Sequence, residues 1–440
     1  MKKTLRLLCL LVVGSWGFLN AQQSQPRVNA YTFGEGFTIN DMEGGILRIT
    51  GYVQPFGETR FLLDGEDYPQ VSRFRMRRLR MRVQGSSRND KFSYRFQTDL
   101  SGTGELLDGN NNFLLDAWVA YNIARRVKIT FGQRAPYSDN RELWMNSNTL
   151  QLVERSRLTS AFATIREFGV FVDGTFRLAG FAGTNPYLKP YLMITNGDGP
   201  NAFTRDRGGL KYAGRLDVLP FGLFNNFGQF NQVDVVRERT PKLVFGGYYS
   251  YNVGISGRRG RSSGGILYLD DKGAELLPDY YKYGVDFLFK FRGFSAIGEY
   301  VRGGGVVPEG IAQRVRNDGS VTPNFVVDGA QNVQDYILGR MMVGAAYNIQ
   351  MGYLLKNGYS FDARYTHLMP DEHSFLKNPT FYNRPNYYTV GISKYLGRNY
   401  GAKIQADVTY VANNGGVNNH LGLPVAGNEL IFRIMSTYTF

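Results

Sequence analysis

The stretch Arg73–Arg82, RFRMRRLRMR, decides the fold. Six arginines, Arg73, Arg75, Arg77, Arg78, Arg80 and Arg82, alternate there with Phe74, Met76, Leu79 and Met81. Alternation with a period of two reads as a β-strand with one apolar and one cationic face. A soluble core excludes such a strand, because buried charges without partners are costly. A wall that is apolar outside and wet inside accepts it. One Arg facing lipid at mid-bilayer costs roughly 2–4 kcal/mol, so six would cost on the order of 12–24 kcal/mol, more than a typical domain's net stability. The cationic face therefore turns toward the lumen of a transmembrane barrel. The phase of the pattern flips between Arg77 and Arg78, from odd to even positions. A β-bulge at that point puts all six arginines on one face, and the matching switch from Phe74 and Met76 to Leu79, Met81 and Val83 favours it. Without a bulge, one triplet points outward near the loop end.

Period-two segments recur on both sides of this strand, from Ile46 to Phe440, giving sixteen candidate strands. Among them are 46–56, 71–85, 92–100, 114–122, 127–134, 336–349 and 429–440. The links are tight at SSRND, IARR, RG and GRNY, and long and rich in Gly, Asn and Asp elsewhere. Short and long links alternate, as expected for short periplasmic turns and long extracellular loops. The link 220–241 breaks the rule, being long on the short-turn side. The fold class expected is all-β: a transmembrane antiparallel β-barrel of about sixteen strands. The closing segment ELIFRIMSTYTF sets Leu430, Phe432, Ile434, Tyr438 and Phe440 on one face and Glu429, Arg433, Thr437 and Thr439 on the other. A final strand ending in Phe is similar to the terminal strand of bacterial outer-membrane proteins.

Residues 1–21 read as a secretory signal, with Lys2, Lys3 and Arg6 ahead of LLCLLVVGSWGFL and a cleavage site after Ala21. Residues 22–45 read as a flexible leader, and 46–440 as a single barrel. The sole cysteine, Cys9, lies in the signal. Net charge falls from +14 to +11 when the signal's three cations leave. That excess favours anionic partners, and export argues against nucleic acid. Aromatic residues make up 14% of the chain and glycines number 53, while mean hydropathy is only −0.30. Such a composition suits strands of which one face meets lipid and the other water.

With the apolar face outward, neighbouring strands turn Arg95, Gln97 and Asp99, then Lys128, Thr130 and Arg134, into the lumen. Guanidinium groups bind phosphate and carboxylate through a planar fork, and a series of weak sites lets an ion hop onward. The competing reading is that the arginines neutralise wall acids such as Asp99, Asp116 and Asp173. Loop 135–165 carries Arg141, Glu142, Glu154, Arg155 and Arg157 beside Trp144 and Met145, and its length allows it to fold inward and narrow the pore.

The string RFRMRRLRMRVQG, with FSYRFQTDLSG, LLDAWVAYN, the segment VKITFGQRAPYSDNRELWMNSNTLQLVERSRLTSAF and REFGVFVDG, resembles the phosphate-selective porin O and P family over about residues 46–177. The resemblance implies a sixteen-stranded, trimeric, anion-selective porin with an arginine ladder and a folded-in third loop. It places the arginine face of 73–82 and Arg134 where that ladder draws residues. The family's separate lysine cluster has no counterpart here, so phosphate and general anion permeation stay open as alternatives.

His367, His373 and His420 are the only histidines. Asp371-Glu372-His373 has no serine elbow or His-Glu-x-x-His beside it, and a solvated loop explains it better than a hydrolase site. No cofactor or metal motif stands out, and the Asp- and Asn-rich loops lack the spacing of a calcium loop. The expected function is an outer-membrane porin, not an enzyme, passing small anions such as phosphate along Arg73, Arg75, Arg77, Arg78, Arg80, Arg82, Arg95, Lys128, Arg134 and Arg141. Outer-membrane lipid and lipopolysaccharide are its expected surroundings. The alternatives are a channel for another nutrient and a structural or secretion-associated barrel.

Overall fold

A computed structural model describes residues 27–40, 44–63, 71–101, 113–180, 183–200, 209–260, 264–377, 384–397, 399–412, 417–418, 424–425 and 427–440. The signal 1–21 lies outside them.

Sixteen antiparallel strands close into a barrel. They are β1 (Ile46–Leu62), β2 (Val71–Ser86), β3 (Phe92–Asp99), β4 (Leu114–Ala124), β5 (Val127–Arg134), β6 (Glu167–Gly174), β7 (Tyr187–Thr195) and β8 (Lys211–Leu219), followed by β9 (Lys242–Asn252), β10 (Asp279–Phe291), β11 (Phe294–Val306), β12 (Gly344–Leu354), β13 (Tyr359–Pro370), β14 (Asn386–Tyr395), β15 (Ala402–Ala412) and β16 (Glu429–Thr439). Each pairs with its chain neighbours, and β16 pairs back onto β1 from Glu429↔Leu62 to Thr439↔Tyr52, so the wall closes on itself.

Alternation explains the strands. In β8, Tyr212 and Leu216 are exposed, while Lys211, Arg215 and Asp217 are buried. The same inversion runs around the wall: Val119, Leu192, Val285, Val390 and Ile434 face out, and charged residues face in. An exposed apolar belt of this kind is stable only against lipid.

The bulge sits where the arginine phase flips. Gln54 pairs with Arg78 and Pro55 with Met76, leaving Arg77 as the extra residue. Phe74, on the outer face, is 89% exposed.

Two elements differ from the sequence reading. Residues 336–349 do not form one strand. Val333–Leu338 is helical, capped by Asn332, whose side chain accepts from the Asp335 N–H, and β12 starts only at Gly344. The period-two signal there was carried by residues that pack apolar side chains from a loop: Ile337, Met341 and Val343 share a core with Ile255, Tyr268 and Phe325. Within the stretch read as a leader, Arg27–Thr32 and Gly36–Asn40 form a hairpin, and its second strand pairs with the start of β1. Its turn uses Gly34 and Gly36 at positive φ, and the Phe33 ring sits 5.2 Å from that of Tyr438. The long link 220–241 is an elaborated turn, not a missed strand, and it folds into the lumen.

Candidate functional site

Two segments enter the barrel from opposite ends. Loop 135–165 comes from the long-loop end and is buried along most of its length. Its first part docks on the wall of β8–β11. There Arg141 donates to Asp286 (2.8 Å) and Asp217 (2.9 Å), and Arg215 reaches the same two carboxylates at 2.6 and 2.8 Å. Two guanidiniums and two carboxylates make a neutral cluster, which is the condition for burying them together. Gly246 leaves room for it: a Cβ there would stand 2.2 Å from the Arg215 guanidinium and 2.7 Å from that of Arg141. A short helix, Arg157–Phe162, capped by the Ser156 hydroxyl, packs Leu158 and Phe162 against Val301, Ala346 and Leu368.

The far part of the loop docks on the opposite wall. The Val153 N–H donates to Asp407 (2.8 Å), Gln151 Nε2 to Asp362 (3.0 Å), and Lys403 Nζ reaches the Leu150 carbonyl at 2.7 Å. Glu154 receives both Arg77 and Arg78, the latter at 3.0 Å. Burial pushes the Glu154 carboxyl up, but the two guanidiniums outweigh it and hold the group well below the usual carboxylate range.

From the short-turn end, the link 220–241 rises to meet this loop. Gln232 donates to Glu142 (3.1 Å) and accepts from the Gln151 N–H (2.9 Å). Buried Lys290 donates to the carbonyls of Gly228 and Val233, and Asp234 accepts from the Gly293 N–H at 2.7 Å. The Trp144 and Phe230 rings, one from each segment, lie 6.5 Å apart.

What stays open is a cavity of about 850 Å3 at the short-turn end, bounded by β1–β7 and by both inward segments. Among the described residues, its lining holds nine arginines and lysines against two aspartates, Asp116 and Asp173. Of the residues named from sequence, Arg80, Arg82, Arg95, Lys128 and Arg134 line it. Arg73, Arg75, Arg77, Arg78 and Arg141 do not.

The ten cations divide by partner. Arg73 bonds Glu58 at 2.7 Å, and Arg75 lies over the Phe56 ring at 5.1 Å. Arg80 is 4% exposed and held by Asp99 at 2.8 Å. Arg141 belongs to the sealed cluster. Lys128 and Arg134 share Asp173 at 3.5 and 3.8 Å. Among the described residues Arg82 bonds only neutral oxygens, those of Gln97 (2.7 Å) and Asn146 (3.2 Å). Arg95 has no carboxylate partner among the described residues; its guanidinium lies 5.4 Å from the centre of the Trp118 ring.

Sequence reasoning missed Arg48, Arg166 and Lys189, which also line the cavity, as does Arg155 of the inward loop. Lys189 was within reach of sequence, since in Tyr187–Thr195 it shares the inward parity of Tyr191 and Met193. His373 lies 3.5 Å from Asp335, away from the cavity.

Residues 56–181 match the family model described as phosphate-selective porin O and P. This match covers the arginine strand and the inward loop. A search of curated proteins finds no match. Among solved structures, the chain is similar to an anion-selective porin from Comamonas acidovorans, with 10% identity, a TM-score of 0.49, and 90% of this chain and 100% of that one covered. The outer membrane channel DcaP of Acinetobacter baumannii shows 10% identity, a TM-score of 0.47, and coverage of 92% and 100%. For the trimer form of OmpT of Vibrio cholerae the values are 11%, 0.47, and 90% and 99%. At these values the likenesses carry no functional argument. The protein is a sixteen-stranded outer-membrane β-barrel. Its fold and family match point to a channel.

Proposed function

We propose that the barrel passes small anions by passive diffusion, with phosphate-like solutes among them. The observation that carries this reading is the cavity's charge: nine cations line it with two carboxylates, and eight remain when Arg80, matched by Asp99, is set aside. With low-dielectric walls around it, such an excess concentrates anions and repels cations. Each contact is a weak surface site, so an anion moves on as readily as it binds.

The cations that carry this reading are not the whole ladder. Arg77, Arg78 and Arg80 are matched by Glu154 and Asp99 and hold the loop in place. Arg82 and Arg95 keep their charge for a passing solute. Phosphate preference and a homotrimeric assembly in lipopolysaccharide-bearing membrane belong to the proposal through the family match. Removal of residues 1–21 on export belongs to it as well, on the basic and apolar pattern of that segment.

The test is the zero-current potential of the purified barrel in a planar bilayer under a salt gradient, followed by phosphate titration. Chloride preference with block by millimolar phosphate is expected. Cation preference overturns the anion reading. Unblocked chloride current removes only phosphate.

A further inference from the structure

Three of the cavity's cations are held by rings. Arg95 lies 5.4 Å from the Trp118 ring centre, and Arg134 lies 5.8 Å from the same ring and 5.0 Å from Tyr137. Lys189 sits 5.8 Å from Tyr191 and 6.0 Å from Phe230, with no carboxylate in ion-pair range among the described residues. A ring attracts a cation through its quadrupole yet carries no net charge. A cation held by a ring with no carboxylate in ion-pair range, as Arg95 and Lys189 are among the described residues, is fixed in position without being neutralised and keeps N–H donors for a ligand; Arg134 also shares Asp173 with Lys128.

A second observation comes from the inward-folded link. Phe227 lines the same cavity, 75% exposed as a residue, at φ +53°, next to Asn226 at φ +49°. A bulky residue in the left-handed region is strained. An exposed ring recovers none of that cost by packing. Both local preferences oppose a phenylalanine here, and what its position provides is an aromatic face turned to the cavity.

Inorganic phosphate uses only the charges of such a site. A flat, singly charged organic anion uses both features. We propose that the cavity is a subsite for small aromatic carboxylates. The carboxylate meets the guanidinium forks of Arg95 and Arg134, and the ring lies among Phe227, Trp118 and Phe230. The cavity volume, about 850 Å3, is in the range of small-molecule pockets. The inference rests on the anion-channel reading and narrows it.

The experiment compares block of chloride current by benzoate and by cyclohexanecarboxylate at neutral pH, in the wild-type barrel and in Phe227→Gly. The two probes carry the same charge at similar size and differ in aromaticity. Benzoate is expected to half-block at about five-fold lower concentration than cyclohexanecarboxylate. Phe227→Gly, which relieves the backbone at an exposed position, is expected to shrink that ratio toward one. Equal block by both acids in a chloride-preferring wild-type barrel overturns the aromatic subsite and leaves the channel reading standing. A ratio unchanged in Phe227→Gly overturns the role given to the link. A cation-preferring barrel overturns both readings.

Discussion

Neutralising an unpaired cation and deleting a complete ion pair should affect selectivity differently, and this barrel allows the comparison on neighbouring strands. Arg95→Gln removes a unit charge that has no carboxylate in ion-pair range among the described residues, Asp116 acting on it only from farther off. Arg80→Gln with Asp99→Asn removes a guanidinium and a carboxylate 2.8 Å apart, both nearly inaccessible, so net charge is unchanged. A unit charge about 4 Å from an anion in water is worth about 1 kcal/mol, or about five-fold in local anion occupancy. The far field of a close ion pair largely cancels. Arg95→Gln should therefore lower the chloride-to-potassium permeability ratio about three- to five-fold, and the double substitution should leave it within about 1.5-fold. The amides keep hydrogen-bonding capacity at the paired site, so the double variant folds. Single Arg80→Gln would not serve, because it strands Asp99 as a new negative charge. Zero-current potentials should be read below about 0.1 M salt, where the screening length is about 10 Å or more. If the double substitution lowers selectivity more than Arg95→Gln does, the division into structural and free cations is wrong.

Glu154→Gln leaves two guanidiniums, one of them nearly sealed, without their shared counter-charge. A loss of about 3 kcal/mol is expected, seen as a lower urea midpoint for unfolding of the barrel from lipid vesicles. An unchanged midpoint would mean that another carboxylate takes its place. Replacing 221–240 with a four-residue turn should raise single-channel conductance, since that link fills lumen between Glu142 and Lys290. Unchanged conductance would show that ions never pass on that side.

Much of the fold was legible along the chain. A strand writes its faces into its own sequence with a period of two, so the apolar exterior of β2 and β16 needed no tertiary knowledge. The bulge at Arg77 was legible for the same reason: an inserted residue shifts the phase of everything after it. The helix Val333–Leu338 was missed because a buried loop segment also carries apolar residues, and its Asn332 cap signal was not weighed. The entry of the link 220–241 into the lumen left no local trace beyond its length.

Alternation by itself determined that the arginines of β2 face inward, because lipid rejects them and the pleat leaves only one other face. Which of them keep their charge was decided by tertiary structure alone. The neutralising groups are distant in sequence: Asp99 is 19 residues from Arg80, Glu154 is 76 from Arg78, and Asp286 is 145 from Arg141. Coulomb attraction acts through space, and only the closed barrel with two segments folded into it sets those distances. Its closure hands the inner arginines to acids and leaves Arg82, Arg95 and Lys189 beside neutral oxygens and rings.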